Sequence, residues 1–245
     1  RGLRSPPTWV AALVIRSRAS LLRGVFLEGV GSGFDYMSSR TDLIAQGLTQ
    51  TLVYVVVVTI AATITAIVLA ITTLRHPFAK ELALAISSVF LTIPSLALFT
   101  IFIPIVGLGF TPSFIALYLY AIMPILRNTT TGLDSVDPSV LESAKGMGLS
   151  RRQVLTKVQL PLAWPVMLAG IRVSALLTVG ISAIATLVAG GGLGDFIKSG
   201  LARLPLPNSL EAIWTGVILS LALAFVIDSL LRGVGRFTTP RTKKA

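Results

Sequence analysis

Three observations predict an all-α integral membrane protein with about five transmembrane helices and one long cytoplasmic loop. Of the 245 residues, 53% are hydrophobic and 13% charged, and the mean hydropathy of +0.84 is far above that of a soluble domain. Uncharged runs at 43–74, 82–126, 173–194 and 212–227 reach or approach the length of about 20 residues that crosses the hydrocarbon. These runs are apolar throughout and lack the alternation of barrel strands. In lipid the backbone polar groups must then be satisfied within each segment, as a helix does.

The elements follow in chain order. Residues 1–42 form an N-terminal segment in which 9–27, WVAALVIRSRASLLRGVFL, are interrupted by arginines too often to cross. An interfacial helix or a disordered segment is expected there, ahead of a sixth partial span or a cleaved signal peptide. The first span is placed at 51–74; Val55 to Val58 would favour a strand in water, but lipid overrides that preference. The long run 82–126 holds two spans, 82–104 and 113–131, separated by a hairpin at Gly107, Gly109 and Pro112. A polar loop at 132–160 leads to a fourth span at 163–189, and a fifth is expected at 210–231. Residues 43–232 thus read as one membrane domain, with 233–245 as a basic tail.

Charge orients the chain. With the 132–160 loop inside, Arg75, Lys80, Arg232, Arg236, Arg241, Lys243 and Lys244 are also inside, while the outer hairpin carries no charge. The outer loop 190–209 carries only Lys198 and Arg203 beside Asp195. Arg1, Arg4, Arg16, Arg18 and Arg23 run against this pattern, since five spans leave the N-terminus outside. The net charge of +11 is explained by this inside bias, because the basic residues flank apolar spans and form no soluble basic face for nucleic acid.

Several chemistries are excluded. Without cysteine there is no disulfide or thiolate, and the lone His76 makes a zinc site implausible, so no metal site is assigned. No phosphate-binding G-x-x-x-x-G-K-[ST] occurs, and the glycines of Gly190 to Gly194 are read as a turn or close helix contact on the outer side. No catalytic constellation is present, so the chain is not read as an enzyme. Arg127, Arg172 and Asp228 are placed near cytoplasmic span ends, with Asp228 paired to Arg232 four residues on.

The most informative stretch is Glu142 to Pro161, ESAKGMGLSRRQVLTKVQLP. Asp137 and Pro138 start a short helix that ends near Met147, the glycines Gly146 and Gly148 stop it, and Ser150 with Gln153 forms a capping box for a second helix. Leu141, Ala144 and Met147 or Gly148 share a face of the first helix, and Glu142 is offered to a cationic or amide partner.

This stretch fits the spacing E-A-A, three residues, G, nine residues, I-x-L-P at Glu142, Ala144, Gly148, Leu160 and Pro161, with Ser143 and Val158 as conservative departures. It therefore resembles the permease subunits of binding-protein-dependent ABC importers. Ile93 to Gly148, with LAGIR at Leu168 to Arg172 and AGGGLGDFI at Ala189 to Ile197, is similar to the glycine betaine, carnitine and choline permeases. The resemblance covers about 43–232 and leaves out the first forty residues.

The resemblance implies the type I ABC importer permease fold and a coupling loop at 137–161 that docks into a cytoplasmic ATPase. Its coupling residues are Glu142, Ser143, Ala144, Met147, Gly148, Leu160 and Pro161. Implied partners are ABC ATPase subunits, a second permease chain, identical or paralogous, an extracytoplasmic solute-binding protein and membrane lipid. ATP and Mg belong to the ATPase, and this chain carries no cofactor. The implied location is the bacterial cytoplasmic membrane, and the implied solute an osmoprotectant quaternary amine. Tyr118, Tyr120 and Trp214 are candidate aromatic contacts for such a cation, although packing and interfacial belts explain them equally well. Pro94, Pro104 and Pro124 are expected to kink spans. Rival readings are a permease for another small solute such as an amino acid, an autonomous channel or secondary transporter, and a non-transporting scaffold.

Overall fold

The computed structural model describes residues 33–238. The segment expected to be interfacial, 9–27, and the end of the basic tail lie outside the described residues. A short helical run at 33–38 leads into α1, Thr41–Thr73. Then come α2, Pro77–Thr92, α3, Ser95–Val106, α4, Phe110–Asp134, and α5, Pro138–Gly146. The continuous α6, Arg151–Val188, is followed by α7, Gly194–Ala202, and α8, Ser209–Thr238. Four of these, α1, α4, α6 and α8, are long and apolar enough to cross a membrane, and the bent pair α2 and α3 makes a fifth when taken as one span.

The helix α4 is the centre of the bundle, with Ala116, Leu117, Ile125, Leu126 and Leu133 buried. Against it α1 lays Tyr54, Val58, Ala62, Ala66 and Ala70, spaced four residues apart and all buried. Small side chains at that spacing let two helices approach closely where lipid removes the hydrophobic drive. The opposite side of α1 exposes Val56, Ile60, Ile64 and Val68, as a helix that is apolar all round does in a membrane. On the other flank α6 packs on α4, and Ser174 Oγ donates to the Ala121 carbonyl across the pair at 3.0 Å.

Two elements differ from expectation. The span placed at 82–104 is not one rod, because α2 and α3 meet at 98°. Ile93 is extended (ψ 130°) ahead of Pro94, whose ring disfavours helical backbone in the preceding residue. The hydroxyl of Tyr120 donates to the Ile93 carbonyl left free by the break. The second loop helix and the fourth span, expected as separate pieces, are fused in α6. A π turn at Leu155–Gln159, in which Leu160 N donates to the Leu155 carbonyl, widens the helix just before Pro161. Pro161 has no N–H to give, and the wider turn relieves its ring.

The outer loop holds a helix that was not foreseen, α7. It lies flat on α8 because Gly200 and Gly216 have no side chain there: a Cβ on Gly200 would sit 2.5 Å from the Ser209 carbonyl oxygen.

Candidate functional site

At one end of the bundle, α4 and α6 are joined by the loop that carries the motif. Asp137 caps α5 by accepting from Ser139 N at 2.8 Å, and Pro138 occupies its first turn. That backbone hydrogen bond holds the Asp137 carboxyl below the usual carboxylate range. At the far end Met147 N donates to the Ser143 carbonyl, Gly148 N to the Lys145 carbonyl and Leu149 N to the Ala144 carbonyl, closing the helix over a Gly148 with φ +83°. Ser150 and Gln153 make the reciprocal capping box that opens α6. The sharp bend between two helices is therefore as the residues dictate.

The loop is pinned by few contacts. Ala144 is buried at 2% exposure, and Val136 and Val154 are buried beside it. Gln159 Nε2 donates to the Leu133 carbonyl, tying the π turn to the end of α4. Lys80 reaches from α2 to Asp134 at 2.8 Å. The motif residues thus divide. Glu142, Ser143, Met147, Gly148 and Pro161 are exposed, with Met147 at 74%, while Leu160 is half-buried and Ala144 faces the protein. The face shared by Leu141 and Ala144 is the seat of α5 rather than part of its outward knob. Glu142 has no ion pair among the described residues. Beside the knob, Arg75, Lys145, Arg151 and Arg152 ring a cavity of about 390 Å³ floored by Ile71, Leu74, Leu141 and Leu155. A protruding Met and a carboxylate next to a basic, apolar-floored hollow can seat a protein partner in a cleft without covalent chemistry.

The aromatic candidates do not share one wall. Tyr118 exchanges a 2.8 Å hydrogen bond with Thr65 and stacks on Phe114, which stacks on Phe110, which stacks on Tyr54. Tyr120, two residues on, is buried and serves the α2–α3 break. Trp214 is 52% exposed on α8, which packs on α6 and α7.

At the opposite end, the glycine turn expected at Gly190 to Gly194 is gripped by the start of α1. Tyr54 Oη donates to the Gly190 carbonyl at 2.7 Å, Gly192 N donates to Gln50 Oε1 and Leu193 N to Thr51 Oγ1. Sequence reasoning missed Gln50 and Thr51; their position at the polar end of an apolar run is the one signal they carry. Nearby, burial pushes the Asp195 carboxyl up, and Lys198 pulls it partly back. Also missed was Arg172 as a partner of Asp228, which it grips from α6 through Nε and Nη2 at 2.9 and 2.7 Å, in addition to the expected Arg232.

Residues 62–239 match the family described as binding-protein-dependent transport system inner membrane component. The chain belongs to this family. It is 43% identical over 157 residues to the choline transport system permease protein OpuBB of Bacillus subtilis, covering 64% of this chain and 70% of that one. To the osmoprotectant import permease protein OsmW of Salmonella typhimurium it is 33% identical over 211 residues, 84% of this chain and 96% of the relative. In fold it is similar to an inward-facing MetNI methionine ABC transporter, with TM-score 0.70 and 24% identity over 82% of this chain and 98% of that one. The protein is a multi-pass permease subunit of an ABC importer in the inner membrane, and permease subunits of this family are not themselves enzymes. Membership also implies ATPase and solute-binding protein partners.

Proposed function

We propose that this permease carries choline, glycine betaine, carnitine or a related osmoprotectant, and that the 137–161 loop couples it to a separate ATPase chain that holds ATP and Mg. The single observation that carries the solute assignment is agreement among relatives: OpuBB is named for choline, OsmW for osmoprotectants, and the Bacillus subtilis OpuCB, 42% identical over 150 residues, for glycine betaine, carnitine and choline. The coupling assignment is supported by the exposed Glu142, Ser143, Met147 and Gly148, on α5 and just after it, in a loop whose two stems, α4 and α6, are tied together by the Gln159–Leu133 hydrogen bond. A partner cleft that closes on Met147 and Glu142 pushes α5, and α6 transmits that motion along its continuous length into the bundle. Ala144 contributes by letting α5 sit close to the bundle, and Leu160 and Pro161 by placing the π turn where the loop becomes a span. A second permease chain, identical or paralogous, and an extracytoplasmic binding protein complete the importer.

The test is uptake of labelled choline, glycine betaine and methionine into vesicles from cells producing this chain with the ATPase and binding protein that copurify with it. Saturable, ATP-dependent uptake of the two quaternary amines and not of methionine is expected. Uptake of methionine alone overturns the solute class, and uptake without ATP overturns coupling in favour of an autonomous pathway.

A further inference from the structure

Between α6 and α8, toward the loop end, lies a cavity of about 420 Å³ that the transport reading does not use. Arg172, Arg232 and Arg236 enter it, with Leu168, Leu231 and Gly235 among its walls. Asp228 is the one carboxylate in contact with these arginines among the described residues, and both its oxygens are taken, one by Arg172 and the other by Arg232. Three guanidinium groups less one carboxylate leave the cavity at +2. Arg236 has no ion-pair partner among the described residues. The Asp228 carboxylate therefore positions two guanidinium forks and leaves further N–H donors of all three free for another acceptor.

Depth decides what that acceptor is. Glu211 and Arg232 are 21 positions apart on α8, about 31 Å at the helical rise, which matches the thickness of the hydrocarbon. Arg232 therefore sits at the membrane surface on the loop side and Arg236 one turn beyond it. The indole of Trp164, an amphipathic ring suited to that level, donates to Thr238 Oγ1 at 2.7 Å. On α6, Ala169 of the cavity lies at helical spacing from Leu162 and Val173, whose side chains are 43% and 48% exposed. A cationic hollow bordered by exposed apolar side chains at headgroup depth suits a ligand with an anionic head and acyl tails. A Cβ on Gly235 would approach Leu168 Cδ2 to 2.8 Å, so this glycine keeps the two helices close behind the hollow.

We propose that the Arg172, Arg232 and Arg236 cavity binds the phosphate of an anionic membrane phospholipid. The bound head would bridge α6, which begins at the loop, to α8. The probes are phosphatidylglycerol, phosphatidylcholine and inorganic phosphate, added to the purified full chain in detergent and read by native mass spectrometry.

Phosphatidylglycerol is expected to be retained in preference to phosphatidylcholine. One arginine near an anionic headgroup contributes enough that Arg236→Gln should weaken retention about fivefold. Arg232→Gln should act in the same direction, and Arg203→Gln, at the far end of the molecule, should leave retention unchanged. Arg236→Gln removes no internal ion pair, so a loss of lipid in that variant is not a loss of fold. Equal retention of both lipids, or unchanged retention in Arg236→Gln and Arg232→Gln, overturns the proposal. Displacement of the lipid by millimolar inorganic phosphate makes the site one for free phosphate and overturns the lipid source. Because the chain has no cysteine, Arg236→Cys can be crosslinked uniquely, and a disulfide between two copies in membranes would make the cavity a subunit interface and overturn it as well.

Discussion

Gly170 lies so close to Asn128 that a Cβ on it would sit 2.6 Å from the Asn128 Cβ and 2.7 Å from the Pro124 carbonyl oxygen. Nearer the loop, Gly132 of α4 faces Ala163 of α6, where a Cβ would come within 3.0 Å of the Ala163 carbonyl oxygen. These two glycines hold α4 and α6 at backbone contact, and α4 and α6 are the two stems of the loop. Any force delivered to the loop therefore meets a rigid pair. Gly170→Ala is expected to destabilise the protein by about 1–3 kcal/mol, the usual cost of overpacking a tight site. Gly180→Ala, in the same helix with nothing within 4 Å, should be neutral or stabilising by up to about 1 kcal/mol, because alanine is the better helix former. Thermal unfolding in detergent measures both, and equal shifts would show that the α4–α6 contact is loose.

Gly148 makes the opposite case, since a Cβ there would meet nothing within 4 Å but its φ is +83°. Gly148→Asp therefore has no packing penalty, only a backbone cost of about 1–2 kcal/mol confined to an exposed tip. Insertion into the membrane and the melting profile of the bundle should be unchanged. ATP-dependent uptake and copurification of the ATPase should be lost, because a charged side chain is added to the proposed docking knob. Wild-type uptake by this variant would remove the knob from the coupling path.

The loop was the most legible part of the chain, because caps are local. Asp137, Pro138, Gly148, Ser150 and Gln153 act on neighbours within a few residues, and each does in the structure what its spacing implies. The spans were legible as apolar runs, but not where a run bends. Pro94 looked like a kink within a span, and the 98° break also uses the Tyr120 hydroxyl, 27 residues away. Likewise the Arg232 partner of Asp228 could be read at a spacing of four, while Arg172, 56 residues distant, depends on how α6 and α8 cross. Ala144 carries the same lesson within the motif, since a small residue allows close approach on whichever side the helix is seated.

Acid should loosen the loop through Asp137. Its folded carboxyl titrates below the ordinary value because it accepts from Ser139 N. A depressed folded pKa contributes stability above the unfolded value, and that contribution disappears as pH falls through the folded one. Hydrogen exchange of the α5 amides, normalised for intrinsic rates, should accelerate when pH is lowered from neutral to below the ordinary carboxylate range. Asp137→Asn should reduce that pH dependence, and identical pH dependence in variant and wild type would count against the cap as its source.

Tyr120 separates positioning from solute contact. Its hydroxyl is committed to the Ile93 carbonyl at the α2–α3 break, whereas Tyr118 bonds Thr65 and keeps its aromatic stacking without that bond. Tyr120→Phe removes one hydrogen bond, about 0.5–1.5 kcal/mol, and frees the break to straighten or swing. Transported solute per ATP hydrolysed should fall, with ATPase activity retained, while Tyr118→Phe should stay near wild type in that ratio. The mechanical basis is that the break has fixed geometry only while its free carbonyl is held from α4. If Tyr120→Phe instead raises the solute concentration needed for half-maximal uptake at unchanged stoichiometry, the hydroxyl is a solute contact, and the bend is maintained by Pro94 alone.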